Sequence, residues 1–251
     1  NTIHWAYDTW MLANGTGKAI VKSGGNTWFF LTADYAFGHA LERDTEAVVT
    51  KNGGKVVGKV RTPFPTQDFS SFLLQAQASK AKIIGLANAG GDTTNSIKQA
   101  AEFGITKGGQ NLAGLLVFLP DVHSLGLNIA QGLMLTETFY WDLNDNTRAF
   151  TKRFAAANGG KYPSMVQAGV YSSVIHYLKA VDAAKTDDGT KVAAKMKELP
   201  TDDPLFGKGS VRPDGRKIHP AYLFEVKKPS ESKGPYDYYK LIATIPANEA
   251  F

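Results

Sequence analysis

Residues 28–38 read WFFLTADYAFG. Trp28-Phe29-Phe30-Leu31 is a short unbroken apolar run, the signature of a parallel strand buried on both faces. Thr32-Ala33-Asp34 ends it. An aromatic turn then opens a helix read over His39–Lys51. In open α/β sheets, ligands collect at the carboxyl ends of the strands, where such loops sit. This loop offers Tyr35 and Phe37, flat apolar surfaces with one hydroxyl between them. It offers no nucleophile, no base and no phosphate cradle. The pattern points to a protein that holds a small organic molecule and does not transform it.

Working outward, strand and helix signals alternate. Before the decisive stretch, an amphipathic helix of about fifteen residues runs from Thr9 to Gly24-Gly25, a pair suited to a left-handed cap. After it come a strand at Lys55–Val60, a proline-rich loop at Thr62–Gln67 and a helix at Phe69–Ser79 with Asp68 as its cap. A third strand follows at Ile83–Ala87 and a helix at Asp92–Phe103, again with an aspartate at the cap. Further strands are expected at Leu112–Phe118 and Gly132–Thr138, with a short helix at Leu125–Ala130 between them. Such alternation predicts a parallel sheet covered by helices on both faces. From Asn144 the texture changes to three helices, Thr147–Asn158, Ser164–Lys185 and Lys191–Leu199. The chain closes with a β pair, Ala221–Val226 and Asp237–Ala243. The fold class is α/β.

Composition narrows the function. The chain has 251 residues, 43% of them hydrophobic and 20% charged, with no low-complexity tract, so a packed core is expected and disorder is not. The formal net charge of +5 is scattered along the chain, which suits a solvated surface better than a nucleic-acid footprint. With no cysteine there is no disulfide framework, thiol nucleophile or thiolate metal site. The five histidines are isolated, without metal-ligand spacing. Ala89-Gly90-Gly91-Asp92 lacks both the dinucleotide fingerprint and the P-loop lysine. No serine lies in a G-x-S-x-G elbow. No cofactor, metal or catalytic residue is expected, and no apolar run is long enough to span a bilayer.

Several stretches, taken in order, resemble the branched-chain amino-acid type of periplasmic solute-binding protein. They are TWFFLTADYAFGHAL, KVVGKVRTPFPTQDFSSFLLQAQASKAKIIGLANAGGDTTNSIKQAAEFG, GLMLTETFYW, FTKRFAAANGGKYPSMVQAGVYSSVIHYLKAVDAA and GSVRPDGRKIHPAYLFEVKKP. The closing run KGPYDYYKLIATIPANEAF is similar to a subgroup that takes up aromatic carboxylates. The resemblance implies the type I periplasmic-binding fold, in which two doubly wound lobes close about a hinge. It assigns residues 1–24 to an opening segment at a lobe crossing, 25–138 and 220–251 to lobe two, and 139–219 to the hinge and the returning part of lobe one. The first strands of lobe one would belong to a longer polypeptide.

It also implies an extracytoplasmic binding component of an ABC importer, located in the periplasm, whose partners are a small ligand and a membrane permease. A swapped or fragment-driven dimer is a further expectation. The implied ligand contacts are Tyr35 and Phe37 after the first lobe-two strand, and Asn88 and Ala89 after the third. Asp121 would pair with an ammonium, Trp141 would stand at the hinge, and Tyr7 and Asp8 where the chain enters the unit. Phe37 stands where many relatives have tyrosine, which makes the wall more apolar and favours an aromatic carboxylate. The alternatives are an amino acid or short amide bound in the same way, or a ligand-sensing regulatory domain of the same fold.

Overall fold

The computed structural model describes residues 1–251. Helix α1 (Thr9–Leu12), a π turn (Ala13–Gly17) and α2 (Lys18–Lys22) precede β1 (Thr27–Ala33), α3 (Ala36–Lys51), β2 (Lys55–Thr62), α4 (Ser70–Ala78), β3 (Ile83–Ala87) and α5 (Gly91–Glu102). Then come β4 (Asn111–Gly114), α6 (Leu119–Leu125), α7 (Leu127–Ala130), β5 (Met134–Glu137), α8 (Asp145–Ala157), α9 (Met165–Ala184) and α10 (Gly189–Glu198). Strands β6 (Thr201–Asp203), β7 (Gly207–Val211), β8 (Lys217–Ile218), β9 (Ala221–Val226) and β10 (Tyr239–Ile245) and helix α11 (Ala247–Ala250) complete the chain.

Two compact units result. Unit 1 comprises 1–7, 137–221 and 245–251; unit 2 comprises 8–136 and 222–244. Segment 8–24 thus goes with unit 2. The closing residues leave the last strand for unit 1, where the Arg216 guanidinium lies 3.7 Å from the centre of the Phe251 ring.

Unit 2 is built on a seven-stranded sheet of order β10-β9-β5-β4-β3-β1-β2. β1 pairs in parallel with β2 and β3, β3 with β4, and β4 with β5. This is the α/β architecture the alternation predicts. In β1, Trp28 and Phe30 are completely buried, with ring centres 5.9 Å apart. The indole Nε1 donates to Gly25 O at 2.8 Å, so even the polar edge of Trp28 is satisfied. Gly85 makes room for this pair: a Cβ there would stand 2.8 Å from the Phe30 ring.

Local chemistry departs from expectation in two places. The first helix is interrupted by the π turn over Ala-Asn-Gly-Thr-Gly, a stretch whose glycines weaken regular helix. β4 stops at Gly114, although Leu115–Val117 are buried. Their apolar character reflects burial alone, not strand.

Unit 1 has its own core. Trp5 packs with Ala180, Val192, Met196 and Val211. The opening segment is held by His4, whose N–H donates to Gly215 O at 2.8 Å while its carbonyl accepts from Lys217 N at 2.9 Å. β6, β7 and β8 form a three-stranded antiparallel sheet. Helix α9 exposes Val166, Val170, Val174, Tyr177 and Leu178 at a spacing of three to four residues, an apolar stripe along one face.

Candidate functional site

Gly38 fixes the first loop at the carboxyl end of the unit 2 sheet. A Cβ at this position would stand 2.1 Å from Ala33 O and 3.1 Å from Ala87 O. Only glycine lets the start of α3 sit against the ends of β1 and β3 together. Tyr35 and Phe37 are thereby held half-buried at the strand ends, their ring centres 5.9 Å apart.

A third ring joins them from the loop after β2. Phe64, about half exposed, stacks on Tyr35 with centres 4.3 Å apart and planes 16° apart. Its Phe64-Pro65 peptide is cis. From sequence this segment reads as a proline-rich loop, and Phe64 has no role in that reading. The available signal was an aromatic placed just past a strand end, between two prolines.

Beneath the rings runs a network of charges that anchors the loop. Glu42 on α3 is buried, accepts from Thr32 Oγ1 at 2.6 Å and pairs with Arg61 Nη2 at 3.0 Å and Lys59 Nζ at 3.3 Å. Asp34 Oδ1 meets His39 Nε2 at 2.7 Å. These contacts tie both ends of the loop to β1, β2 and α3.

The third loop behaves differently from expectation. Asn88 is fully buried, with Oδ1 accepting from Thr93 Oγ1 at 2.7 Å and Nδ2 donating to Ser96 Oγ at 3.3 Å. Its amide is committed to α5, and Ala89 beside it is half-buried. The helix begins one residue before Asp92, after Gly90 at a φ of 59°. Asp92 is therefore not the cap the sequence suggests. Its Oδ1 reaches across to the β2 loop and accepts from Thr66 N at 3.2 Å. Burial raises the Asp92 carboxyl above the usual aspartate range, partly opposed by that hydrogen bond. The Tyr35 phenol is raised as well, first by burial and then by the charge of Asp92.

Asp121, expected to face an ammonium, is the third residue of α6, and its Oδ2 accepts from Phe118 N at 2.8 Å. It acts as a helix cap, with its carboxyl raised by burial. Asp8 also caps a helix, its Oδ1 accepting from Met11 N at 2.8 Å. Trp141 and Tyr7 belong to unit 1. Trp141 is half-buried and stands edge-on to Tyr162 at 5.1 Å. The Tyr7 carbonyl lies 2.9 Å from His4 Nε2. Of the eight expected residues, the structure brings Tyr35 and Phe37 into one ring cluster and adds Phe64 to it, with the charge of Asp92 acting on Tyr35. No group of three or more histidines or carboxylates is arranged to hold a metal ion, and no helix is long and apolar enough to cross a membrane.

Strand-end loops that carry rings and buried acceptors at the carboxyl edge of a parallel sheet form a place for a ligand to sit. The chain belongs to the periplasmic binding protein family, whose match extends over residues 1–235. A periplasmic binding protein from Burkholderia mallei is 60% identical, with a TM-score of 0.96 over 100% of this chain and 66% of that one. A branched-chain amino acid ABC transporter periplasmic ligand-binding protein from Burkholderia xenovorans is 42% identical, with a TM-score of 0.88 over 99% of this chain and 66% of that one. Among curated relatives, a Leu/Ile/Val-binding protein homolog from Brucella melitensis is 26% identical over 97% of this chain and 63% of its own length. The chain thus spans about two thirds of the length of the proteins it matches. The architecture is the type I periplasmic-binding fold.

Proposed function

We propose that this chain forms part of an extracytoplasmic solute-binding protein of an ABC importer, working in the periplasm with a membrane permease, and that its solute is an aromatic carboxylate. The observation that carries this reading is the cluster of Tyr35, Phe37 and Phe64 rings at the carboxyl end of β1 and β2. Offset or edge-on contact between such rings and a bound ring adds about 0.5–1.5 kcal/mol per pair beyond area burial. The formal net charge of +5 favours encounter with an anion. Family membership supports the transport role, and nothing around the rings supplies a nucleophile for turnover.

A second reading, capture of a branched-chain amino acid, is favoured by the name borne by the curated relatives. It draws less support from the site itself, because Asp121 is occupied as a helix cap.

Isothermal titration with benzoate and with leucine separates the two. Benzoate should bind without being consumed, and Phe37→Ala should weaken it about tenfold, equivalent to about 1.4 kcal/mol. Leucine binding in the absence of benzoate binding would establish the second reading. Chemical conversion of the acid would refute a binding role altogether.

A further inference from the structure

Three loops of unit 2 converge on one carboxylate. Asp92, in the first turn of α5, is only 3% exposed. Its Oδ1 is used by the Thr66 amide of the β2 loop, whereas its Oδ2 is buried with no hydrogen-bond partner. The Tyr35 phenol of the β1 loop feels the Asp92 charge, and its ring stacks on Phe64 of the β2 loop. A buried acceptor without a donor is unusual, because it carries the desolvation penalty and gains nothing in return.

We propose that Asp92 Oδ2 accepts a hydrogen bond from a hydroxyl group on the ligand's ring, with Tyr35 and Phe64 stacking against that ring. This inference rests on the aromatic-acid reading of the same loops and gives it a substituent. One free oxygen can be satisfied by one O–H group. An ammonium would bring three N–H donors, more than this one free oxygen and the Tyr35 hydroxyl can accept. Tyr35 is only half-buried and Phe64 is half exposed, so the rings that flank the carboxylate face the solvent side of the loops. Tyr35 is a phenol at neutral pH, able to accept from or donate to the incoming hydroxyl.

The test is calorimetric titration of the full chain with benzoate, 3-hydroxybenzoate, 4-hydroxybenzoate and leucine. The wild type should bind one of the hydroxybenzoates at least tenfold more tightly than benzoate. Asp92→Asn keeps an oxygen for Thr66 N and replaces the free acceptor with a donor. It should bring the hydroxybenzoate-to-benzoate ratio close to one, with an unaltered circular dichroism spectrum. Tyr35→Phe, which keeps the stack, should reduce the ratio in part. A ratio unchanged by Asp92→Asn, an equal fall for both acids, or a wild type indifferent to the hydroxyl overturns the assignment while leaving the aromatic-acid reading standing. Binding of leucine alone, or of none of these compounds, overturns both.

Discussion

Asp203 of unit 1 and Asp92 of unit 2, both buried, are held in opposite ways. Asp203 of unit 1 is 9% exposed, and its Oδ1 accepts from Leu205 N at 2.9 Å and Phe206 N at 3.0 Å. Its Oδ2 accepts from Ser172 Oγ at 2.8 Å, and that hydroxyl in turn accepts from Trp5 Nε1 at 2.8 Å. The charge of Asp203 also acts on Lys217, a fully buried lysine whose Nζ donates to Thr201 Oγ1 at 2.6 Å. Burial brings that ammonium down to about 8, with Asp203 pulling the other way. Asp92 of unit 2 is at least as buried yet accepts one bond. A satisfied buried carboxylate organises a core, and one with an unpaired oxygen carries a desolvation cost without return. The comparison fits structural work for the first residue and the proposed ligand contact for the second.

The sharpest way to break the comparison is to remove the satisfied member. Asp203→Leu strands two backbone amides and the Ser172 hydroxyl and leaves Lys217 without its nearest opposite charge. Loss of one partner from a buried charged network costs about 3–5 kcal/mol. The unit 1 transition in a urea titration should move to lower denaturant by a corresponding amount. A midpoint shift equivalent to less than about 1 kcal/mol would mean that the network carries little of the stability of unit 1.

Acid should find the same unit next. His219 is 1% exposed, with ring centres 4.8 Å from Phe206 and 4.9 Å from Phe251, and Nδ1 is 2.9 Å from Pro220 O. Burial, reinforced by the charges of Lys217 and Arg216, lowers its pKa to about 4 from 6.5. The folded state therefore binds this proton more weakly than the unfolded chain does. The stabilisation is fully present above pH 6.5 and is lost as pH falls toward 4. A displacement of this size is equivalent to roughly 3 kcal/mol. Melting curves between these pH values should show a fall that His219→Phe abolishes, at the expense of a constant loss from the unpaired Pro220 carbonyl. An unchanged slope in the variant would place the titrating group elsewhere.

The frame of unit 2 was legible because period and punctuation are local. β1 and the alternation of strands and helices after it follow from apolar runs and glycines within a few residues of each other. The site was less legible because its contacts are not local. Asp92 reads as a cap from its neighbours, and only the fold brings Thr66, 26 residues away in sequence, to its oxygen. Asn88 looks like a ligand donor until Thr93 and Ser96, one helical turn and more along α5, take its amide. Asp121 sits in the first turn of α6 behind Phe118, a residue type that does not announce a cap, so its bond to the Phe118 amide shows only in the fold. Tyr35 and Phe37 could be found because a strand end followed by rings is itself a local pattern.

The smallest expected effect concerns the stability of the unsatisfied member. For an acid whose folded pKa is raised, the unfolded chain gives up its proton more readily. Charge on Asp92 therefore destabilises the fold above the ordinary aspartate range, and that cost disappears as pH drops below it. Asp92→Asn keeps the oxygen that Thr66 uses and removes the buried charge. The melting temperature of the ligand-free protein at neutral pH should stay level or rise, and the difference from wild type should vanish in acid. A residue kept for binding at some cost to stability behaves in this way. A clear fall in melting temperature would show that Asp92, like Asp203, serves the fold, and the contrast between the two units would collapse.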